Sequence, residues 1–422
     1  MRGILVLDMS YTLKMYKERR LEQALESRKL NGYFSQVISV HPLAGLFESG
    51  EERFGAPLIT QLDDSHVFVE GKIGVSRAWF FFPLLNFILA QIGLVRLLLK
   101  LSKESKVNVV RIGDPYYLGL IGLFLARSLK ASLVIRVCFR YDEIFRVTGK
   151  PVFPRLFRFR WIEKVIERFI FPRCDLIAGA NEDNMRYALE NGGHSDVATV
   201  FRYGNLIHSS HWQDPNMRAG TDTNLEELGL KDEKFVLTVA RLEPMKCVEA
   251  TISVVAELIR RNHCIKGLIV GDGILRKELE KLAIALGVEN AVIFAGNRTQ
   301  EWIASVLPRA AVIISPHMGR ALVEAALAGV AIVAYDYDWQ REVVDDGQTG
   351  YLVPNKDRIA LCDKAEDVLN NPVKGNEMGK KGREKILKMM DPERLVLHEQ
   401  NEYSKILRRF SAKTQRYMSA IF

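Results

Sequence analysis

The chain has 422 residues, of which 48% are hydrophobic and 26% are charged, as in ordinary folded soluble proteins. A chain of this length usually folds into more than one domain, each with its own hydrophobic core. The composition excludes a disordered, repetitive or low-complexity chain. Lys and Arg number 59 against 51 Asp and Glu, so the net charge of +8 suits a diphosphate, an anionic membrane or nucleic acid, or simply a basic surface.

The chain begins with a short apolar run at residues 4–8 that is typical of a buried strand. This run is too short for the core of a signal peptide, and no small-residue cleavage site follows it. The five cysteines are scattered and never in CxxC spacing. We therefore expect neither a disulfide framework nor a zinc site, and the cysteines favour a reducing, cytoplasmic compartment.

In the first half, short apolar strands alternate with amphipathic helices, the pattern of a parallel sheet with crossover helices. Strands are predicted at residues 4–8, 36–40, 66–69, 107–112, 133–138, 176–180 and 197–203. Helices are predicted near residues 18–30, 82–101, 117–129, 157–171 and 183–191. A segment rich in His, Ser, Asn and Gly at 207–224 then interrupts the periodicity, which indicates an interdomain linker.

The second half repeats the alternation more regularly. Strands are predicted at residues 235–240, 266–271, 292–295, 312–315, 331–336 and 350–353. Helices are predicted near residues 248–261, 275–286, 300–307, 320–328 and 339–344, followed by further helices from 358 to the C-terminus. The pattern predicts two doubly wound α/β domains, whose ligands bind at the carboxyl edges of the sheets.

The predicted organisation has four parts. An N-terminal domain occupies residues 1–206, and a linker occupies 207–232. A C-terminal domain occupies 233–390, and a helical segment at 391–422 crosses back to the N-terminal domain.

Two cations follow the first strand of the second half. Arg241 comes directly after that strand, and Lys246 lies five residues later. An anion would dock at this strand end, where Arg can donate two hydrogen bonds to phosphate and Lys acts as a point charge. The alternative is a solvated loop whose charges bind nothing.

Three further features occupy neighbouring strand ends. Gly271 and Gly273 form a tight turn, which most such glycine pairs do without any ligand. Gly319 allows a close backbone approach before a helix whose first amides can face a phosphate. Glu324, one turn into that helix, is placed to accept hydrogen bonds from sugar or ribose hydroxyls, unless it is a surface carboxylate. The order of the pieces, each at a strand's carboxyl end, favours a binding site.

Residues 234–354 resemble the nucleotide-binding domain of the family 4 retaining glycosyltransferases of GT-B fold. The stretches that carry the resemblance are VLTVARLEPMKCVEATI, LIVGDGILRKELEKLA, VIFAGN and GRALVEAALAGVAIVAYDYDWQREVVDDGQTGYLVP. The resemblance implies two Rossmann-like doubly wound domains facing across a cleft. It also implies a nucleotide-diphosphate sugar held by Arg241 and Lys246 at the diphosphate and by Glu324 at the ribose.

One departure from the family concerns the donor sugar. The family usually carries Glu-x7-Glu ending at the position of Glu324, but here Pro316 stands eight residues before it. His317, or the amides around Gly319 and Arg320, would then take the place of the first glutamate.

The first half is similar to the acceptor domain of the same enzymes, through RIGDPYYLGLIGLFLARSLKASLVIRV, ERFIFPRCDLIAGANEDNMRYALENGG and FRYGNLIH. Many members carry a histidine after the strand corresponding to 133–138, where this chain reads Cys138-Phe139-Arg140-Tyr141-Asp142. Arg140 could stabilise phosphate and Asp142 could polarise an acceptor hydroxyl, or both could belong to a structural loop.

The resemblance implies a retaining, metal-independent enzyme of the hexosyltransferase class, which needs no cofactor besides its nucleotide-sugar co-substrate. The acceptor would be a glycan or a lipid-linked molecule, attacked on the front face beside the leaving phosphate. The alternatives are a catalytically weak nucleotide-sugar-binding protein of the same fold and an epimerase of the same fold. No nucleic-acid motif is present, so we expect no nucleic-acid partner.

Two apolar segments bear on membrane contact. Residues 79–95 are strongly apolar but short for a membrane span and interrupted by polar residues. Residues 154–173 combine an apolar stripe with surrounding basic residues, which suits a helix at an anionic membrane surface on the cytoplasmic side or a helix packing its stripe on the sheet. The stripe comprises Phe159, Ile162, Val165, Ile166, Phe169 and Ile170, and the basic residues are Arg155, Arg158, Arg160, Lys164 and Arg168.

Overall fold

The computed structural model of the chain describes residues 2–19, 21–79, 81–154, 156–202, 206–218 and 221–419. These residues form two compact units. Unit 1 lies within Met1–Leu206 and Pro392–Phe422, and unit 2 is Ile207–Asp391. Arg155 and part of the FRYGNLIH stretch lie outside the described residues.

Unit 1 is built on a twisted, mostly parallel sheet. Its described strands are β1 (Gly3–Leu7), β2 (Gln36–His41), β3 (Leu58–Asp63), β4 (His66–Glu70), β5 (Val107–Ile112), β6 (Ser132–Val137), β7 (Leu176–Gly179) and β8 (Ala198–Val200). Their order is β3-β4-β2-β1-β5-β6-β7-β8, and the pairs are parallel except that β3 runs antiparallel to β4. The sequence analysis missed β3 because it is an edge strand that leaves Leu58 and Ile59 exposed, so it carries no buried apolar period.

Helices cover the sheet of unit 1. Before the second unit begins they are α1 (Leu13–Glu18), α2 (Glu22–Glu26), α3 (Pro83–Glu104), α4 (Tyr117–Leu129), α5 (Tyr141–Thr148), α6 (Arg160–Ile170) and α7 (Glu182–Glu190). The prediction of one helix over 18–30 is wrong, because α1 ends at Glu18 and the next helical stretch ends at Leu30, in the left-handed conformation. The predicted range began after Leu13 and Tyr16, which supply the buried face of α1.

The two faces of this sheet bury separate clusters. On one face, Leu5 and Leu7 of β1 pack with Leu94 and Leu98 of α3 and with residues of α4 and α6. On the other face, Ile4 and Val6 pack in a second cluster with residues from the end of the chain. The alternation along β1 therefore divides its side chains between two cores.

Unit 2 contains a smaller parallel sheet, with described strands in the order β11-β10-β9-β12-β13-β14. The helices α8 (Ser209–Trp212) and α9 (Thr221–Glu226) precede this sheet, and its strands are β9 (Phe235–Val239), β10 (Lys266–Val270), β11 (Val292–Gly296), β12 (Val312–Ser315), β13 (Ile332–Tyr335) and β14 (Gly350–Val353). The remaining helices are α10 (Glu249–Arg260), α11 (Arg276–Ala285), α12 (Gln300–Val306), α13 (Ala321–Leu327), α14 (Gln340–Val343), α15 (Arg358–Asn370) and α16 (Pro372–Met389).

The prediction that 207–232 is a linker is wrong, since its described residues belong to unit 2. Arg218 is buried and donates to the carbonyl oxygens of Ala304 and Leu327, at 2.7 and 3.2 Å. His211 is fully buried and contacts Gln300 at 2.9 Å. Polar residues that suggest a loop here make buried hydrogen bonds inside a domain.

The last helix, α17 (Pro392–Ser419), returns to unit 1. Tyr403 is fully buried in the second cluster, where its ring lies 5.1 Å from that of Phe34 and 5.7 Å from that of Phe201. The Tyr33 hydroxyl lies 2.8 Å from the Ser404 hydroxyl. The core of unit 1 is therefore closed by the C-terminal end of the chain.

Candidate functional site

The predicted site residues of unit 2 lie on loops at one edge of its sheet. Strands β10, β9, β12 and β13 are neighbours and parallel, so their carboxyl ends lie side by side. Arg241 follows β9, Gly271 follows β10, and Pro316 follows β12. Asp336 and the residues after it follow β13. This edge is where ligands bind in open α/β sheets.

Gly271 and Gly273 bring two backbones together. Gly271 has φ +131°, and a Cβ atom there would lie 2.0 Å from the carbonyl oxygen of Ala240. A Cβ atom at Gly273 would lie 2.4 Å from the carbonyl oxygen of Leu242, whose amide donates to Asp272 O at 3.0 Å. Glycine is thus required at both positions because the loop after β10 packs closely against the loop after β9.

Arg241 lies on the exposed side of this edge. Its side chain is 67% exposed, and its guanidinium donates to Glu243 Oε1 at 2.9 Å. An exposed pair of this kind is weak and can exchange its carboxylate for another anion at little cost.

Lys246 is the more unusual cation, since its side chain is partly buried. Burial lowers the pKa of its ammonium group and the Arg241 guanidinium lowers it further, whereas Asp338 and Glu243 oppose the shift. Among the residues that the structure describes, no acceptor forms a hydrogen bond or ion pair with its Nζ atom. A Cβ atom on Gly319 would lie 3.7 Å from that Nζ, so the ammonium lies beside Gly319, on the side where a side chain would stand.

His317 is held from both sides of its ring. Nδ1 lies 2.6 Å from the carbonyl oxygen of Met245, and Nε2 lies 3.0 Å from Oδ2 of Asp338. Both partners are acceptors, so a ring with protons on both nitrogens satisfies both contacts. The edge of the ring also packs on Tyr337, at 5.1 Å between centroids. His317 therefore ties the loop containing Lys246 to the loop after β13.

Asp338 is a candidate that the sequence analysis missed. Its backbone has φ +56°, a left-handed conformation that Asp tolerates better than most residues. One carboxylate oxygen contacts His317, while Oδ1 is buried without a hydrogen-bond partner in the described structure. A buried oxygen with no donor is costly, which marks it as a place where a ligand hydroxyl could bind. The signal available in the sequence was an aspartate just after a strand end.

Arg320 and Glu324 form a pair along α13. Arg320 Nε lies 3.2 Å from Glu324 Oε1, and Glu324 is nearly fully buried. The helix begins at Ala321 without a side-chain cap. The structure thus places Glu324 inside the fold of unit 2, with Arg320 covering one of its oxygens.

The loop after β6 in unit 1 has a structural role. Arg140 donates to Asp183 at 2.8 Å and to Glu190 at 3.1 Å. Asp142 accepts from Arg160 at 2.8 Å and from Lys164 at 2.6 Å. Their ion pairs connect α5, α6 and α7, which favours the structural alternative for both residues.

No group of three or more His, Cys, Asp or Glu side chains suited to a metal ion occurs in the described parts of the chain. The expectation of neither metal nor cofactor stays a prediction.

The family model of the glycosyl transferases group 1 matches residues 221–385, which cover the sheet edge just described. This chain carries a group 1 glycosyltransferase domain. The chain is similar to the alpha-D-kanosaminyltransferase of Streptomyces kanamyceticus, with 31% identity over 170 residues, 39% of this chain and 44% of that protein. The alpha-monoglucosyldiacylglycerol synthase of Streptococcus pneumoniae is 22% identical over 60% of this chain and 57% of its own length. The chain spans about half the length of the curated relatives it matches.

Solved structures that cover nearly all of this chain confirm the predicted GT-B fold. The sucrose-phosphate synthase of Thermosynechococcus elongatus has a TM-score of 0.71 at 16% identity, covering 97% of this chain and 100% of that chain. HepE of Anabaena, in complex with UDP and glucose, has a TM-score of 0.67 at 17% identity, covering 96% and 99%. The predicted roles of individual site residues stay predictions.

Proposed function

We propose that the chain is a retaining glycosyltransferase that binds a nucleotide-diphosphate sugar at the sheet edge of unit 2. The observation that carries the proposal is Lys246, a partly buried ammonium beside Gly319 that has no acceptor among the described residues. Keeping such a charge costs folding free energy, and a diphosphate would compensate that cost. The similarity to HepE, solved with UDP and glucose, supports the same ligand class.

Arg241 and Lys246 would stabilise the leaving diphosphate. Negative charge grows on the bridging oxygen as the sugar departs, and fixed cations in a poorly hydrated site lower the barrier to its departure. Losing one such donor typically costs roughly 3–4 kcal/mol of barrier. The two cations would stabilise the diphosphate without a metal ion. The acceptor would attack the front face of the sugar, beside the leaving phosphate, as the family resemblance implies.

The donor sugar would be held by Asp338 together with His317. The glutamate usual in the family is replaced by Pro316, which has no polar side chain. Among the described residues no donor reaches Asp338 Oδ1, and the other carboxylate oxygen of Asp338 contacts His317. A sugar hydroxyl would supply the missing donor. Glu324, in the position expected to bind the ribose, would use a carboxylate that Arg320 already orients.

The acceptor would be a glycan or a lipid-linked molecule. The names of two similar proteins support this class, an alpha-monoglucosyldiacylglycerol synthase and a poly(ribitol-phosphate) alpha-N-acetylglucosaminyltransferase. The five free cysteines agree with the proposed cytoplasmic location.

The second candidate is a binding protein of the same fold with little catalytic activity. Pro316 favours it, because the first glutamate of the family motif is absent. Thermal shift with UDP-, GDP- and ADP-sugars identifies the donor, and transfer and hydrolysis assays with that donor separate the two candidates. Binding without turnover against a panel of glycan and lipid-linked acceptors would favour the binding protein.

The test of the mechanism uses Arg241→Ala and Lys246→Ala, with Lys381→Ala on the exposed face of α16 as the matched control. We expect turnover to fall on the order of a hundredfold or more in the first two variants and to stay unchanged in the third. Near-normal turnover in both site variants would rule out the proposed role of the cations.

A further inference from the structure

Helix α6 exposes a row of apolar side chains to the solvent. Trp161, Val165 and Phe169 are spaced by four residues, which aligns them on one side of the helix. Their exposed fractions are 66%, 59% and 40%. A helix of a soluble domain normally turns such a row inward, so an exposed apolar row of this kind is unusual.

The inward side of α6 carries buried charges beside Ile166 and Ile170. Glu163 and Glu167 are fully buried, and Arg160 pairs with them at 2.9 and 2.6 Å. Tyr187 donates to Glu167 at 2.7 Å, and Tyr116 also donates to it. Rotating α6 to bury its apolar side would break this network and leave buried charges without partners. The network therefore fixes the apolar side outward.

Two neighbouring helices extend the apolar surface. Helix α4 contacts both α3 and α6, and it exposes Leu120 and Phe124. The N-terminal half of α3 exposes six apolar side chains: Phe82 just before the helix, then Leu84, Leu85, Ile88, Leu89 and Ile92. We call this surface of α3, α4 and α6 the outer face.

The exposed charges on the three helices of the outer face are mostly positive. On these three helices the exposed ionisable side chains are five cations and the single acid Glu104; the cations are Arg96, Lys100, Lys103, Arg127 and Arg168. The acids of α6 are the buried Glu163 and Glu167. A second copy of this face would meet it with like charge, which disfavours self-association through it. An anionic surface with an apolar interior matches both its charge and its hydrophobicity.

Helix α3 is by length and composition the one described helix suited to crossing a membrane. Its Ala90, Leu94 and Leu98 are buried, and the two leucines pack in the core of unit 1. Crossing a bilayer would withdraw them from that core. An orientation along the membrane surface leaves the core intact and immerses the exposed side.

We propose that the outer face docks unit 1 on the interface of an anionic lipid bilayer. The apolar side chains enter the boundary between headgroups and acyl chains, and the surrounding cations bind lipid phosphates. Docking would concentrate the protein at lipid-linked molecules, but it does not depend on the proposed transfer reaction.

Flotation of the full chain with vesicles tests the proposal. We expect flotation with mixed phosphatidylcholine–phosphatidylglycerol vesicles, and weak flotation with phosphatidylcholine alone or at high salt. The triple variant Trp161→Ser, Val165→Ser, Phe169→Ser should partition at least about tenfold less, because it removes three side chains from the immersed side. The matched control, Ile274→Ser, Ile359→Ser, Val373→Ser, changes three exposed apolar residues of unit 2 and should float like the wild type.

Fluorescence gives a second readout that does not depend on how the triple variant folds. Trp161 should shift to shorter emission wavelength and be quenched by brominated lipid, and Trp161→Phe should remove that part of the signal while flotation persists. Two results would overturn the proposal. One is a protein that stays unbound with anionic vesicles at low salt, and the other is a dimer in solution that the triple variant dissociates.

Discussion

Lys246 illustrates how a functional residue can work against the stability of its own fold. Its pKa is lowered by burial, so the folded chain binds this proton more weakly than the unfolded chain does. The charged form therefore costs free energy of folding at neutral pH. The cost disappears only as the pH rises toward the ordinary lysine pKa, where the unfolded chain also loses the proton.

We predict that Lys246→Met raises the free energy of unfolding at neutral pH, by about 0.5–2 kcal/mol, while turnover falls. The methionine keeps most of the length of the side chain and removes the partly buried charge. Urea unfolding at pH 7 and at pH 10 measures the effect, and the gain should shrink at the higher pH. A variant less stable than the wild type at pH 7 would contradict the burial argument.

Nucleotide-sugar binding should have its own pH dependence. Only the protonated form of Lys246 attracts a diphosphate, so affinity is complete below its pKa and falls as the pH rises through it. Because that pKa is lowered, the fall should begin at a lower pH than for an ordinary lysine. Isothermal titration with the nucleotide diphosphate across pH 7–10 measures it, and Lys246→Met should flatten the profile.

Asp338 can be tested apart from the diphosphate. Asp338→Asn keeps the size of the side chain and tolerates the left-handed backbone, but weakens the acceptor offered to a sugar hydroxyl. We expect about a tenfold loss in affinity for the nucleotide sugar and little change for the nucleotide diphosphate alone. Asp336→Asn, whose carboxylate pairs with Arg341 on the surface, is the control. Equal losses for both ligands would argue against a sugar contact.

At the scale of elements, α6 shows where a pattern can mislead. The predicted apolar stripe combined Val165 and Phe169, which are exposed, with Ile166, which packs against the core, and Ile170, which is fully buried. Apolar residues thus occur on both sides of the helix, and the buried acids are what separate its inner from its outer side. No periodicity in hydrophobicity alone predicts that charges lie inside.

We predict that Glu167→Ala destabilises the protein by about 3–5 kcal/mol, because it leaves Arg160 and the nearby hydroxyls without their shared acceptor. Chemical denaturation measures the loss. Glu226→Ala removes an exposed carboxylate paired with Lys231 and should cost less than about 1 kcal/mol. Similar small effects for both variants would mean that the network does not hold α6 in place.

At the scale of the whole molecule, unit 1 depends on the end of the chain. Helix α17 contributes Tyr403 and Ile406 to the second cluster of unit 1, about two hundred residues after β8. Such a contact closes a long loop, and its entropic cost is repaid only by burial.

We predict that Tyr403→Ala destabilises unit 1 by about 3–5 kcal/mol, since it empties a fully buried aromatic position. Amide hydrogen exchange measured at rising temperature should show the loss of protection in β1, β5 and β6 rather than in the sheet of unit 2. The control is Leu397→Ala, an exposed residue of the same helix, which should change little. Uniform loss of protection in both units would show that they unfold together.

The sequence by itself determined the class of fold, most strand positions and the loops that carry Arg241, Lys246 and His317. It did so because buried strands require runs of apolar residues, and the carboxyl ends of parallel strands meet at one edge. Helix α4 was also predicted with its observed bounds, because its apolar residues mark the buried length of the helix.

Only the tertiary structure decided which partners these residues have. The unsatisfied oxygen of Asp338, the backbone contacts of Gly271 and Gly273, the exposed apolar row of α6 and the return of α17 all depend on groups distant in the chain. The local sequence pattern predicts which residues are buried. The partners of buried polar groups and the closure of a core depend on residues that are distant in the sequence and close in space.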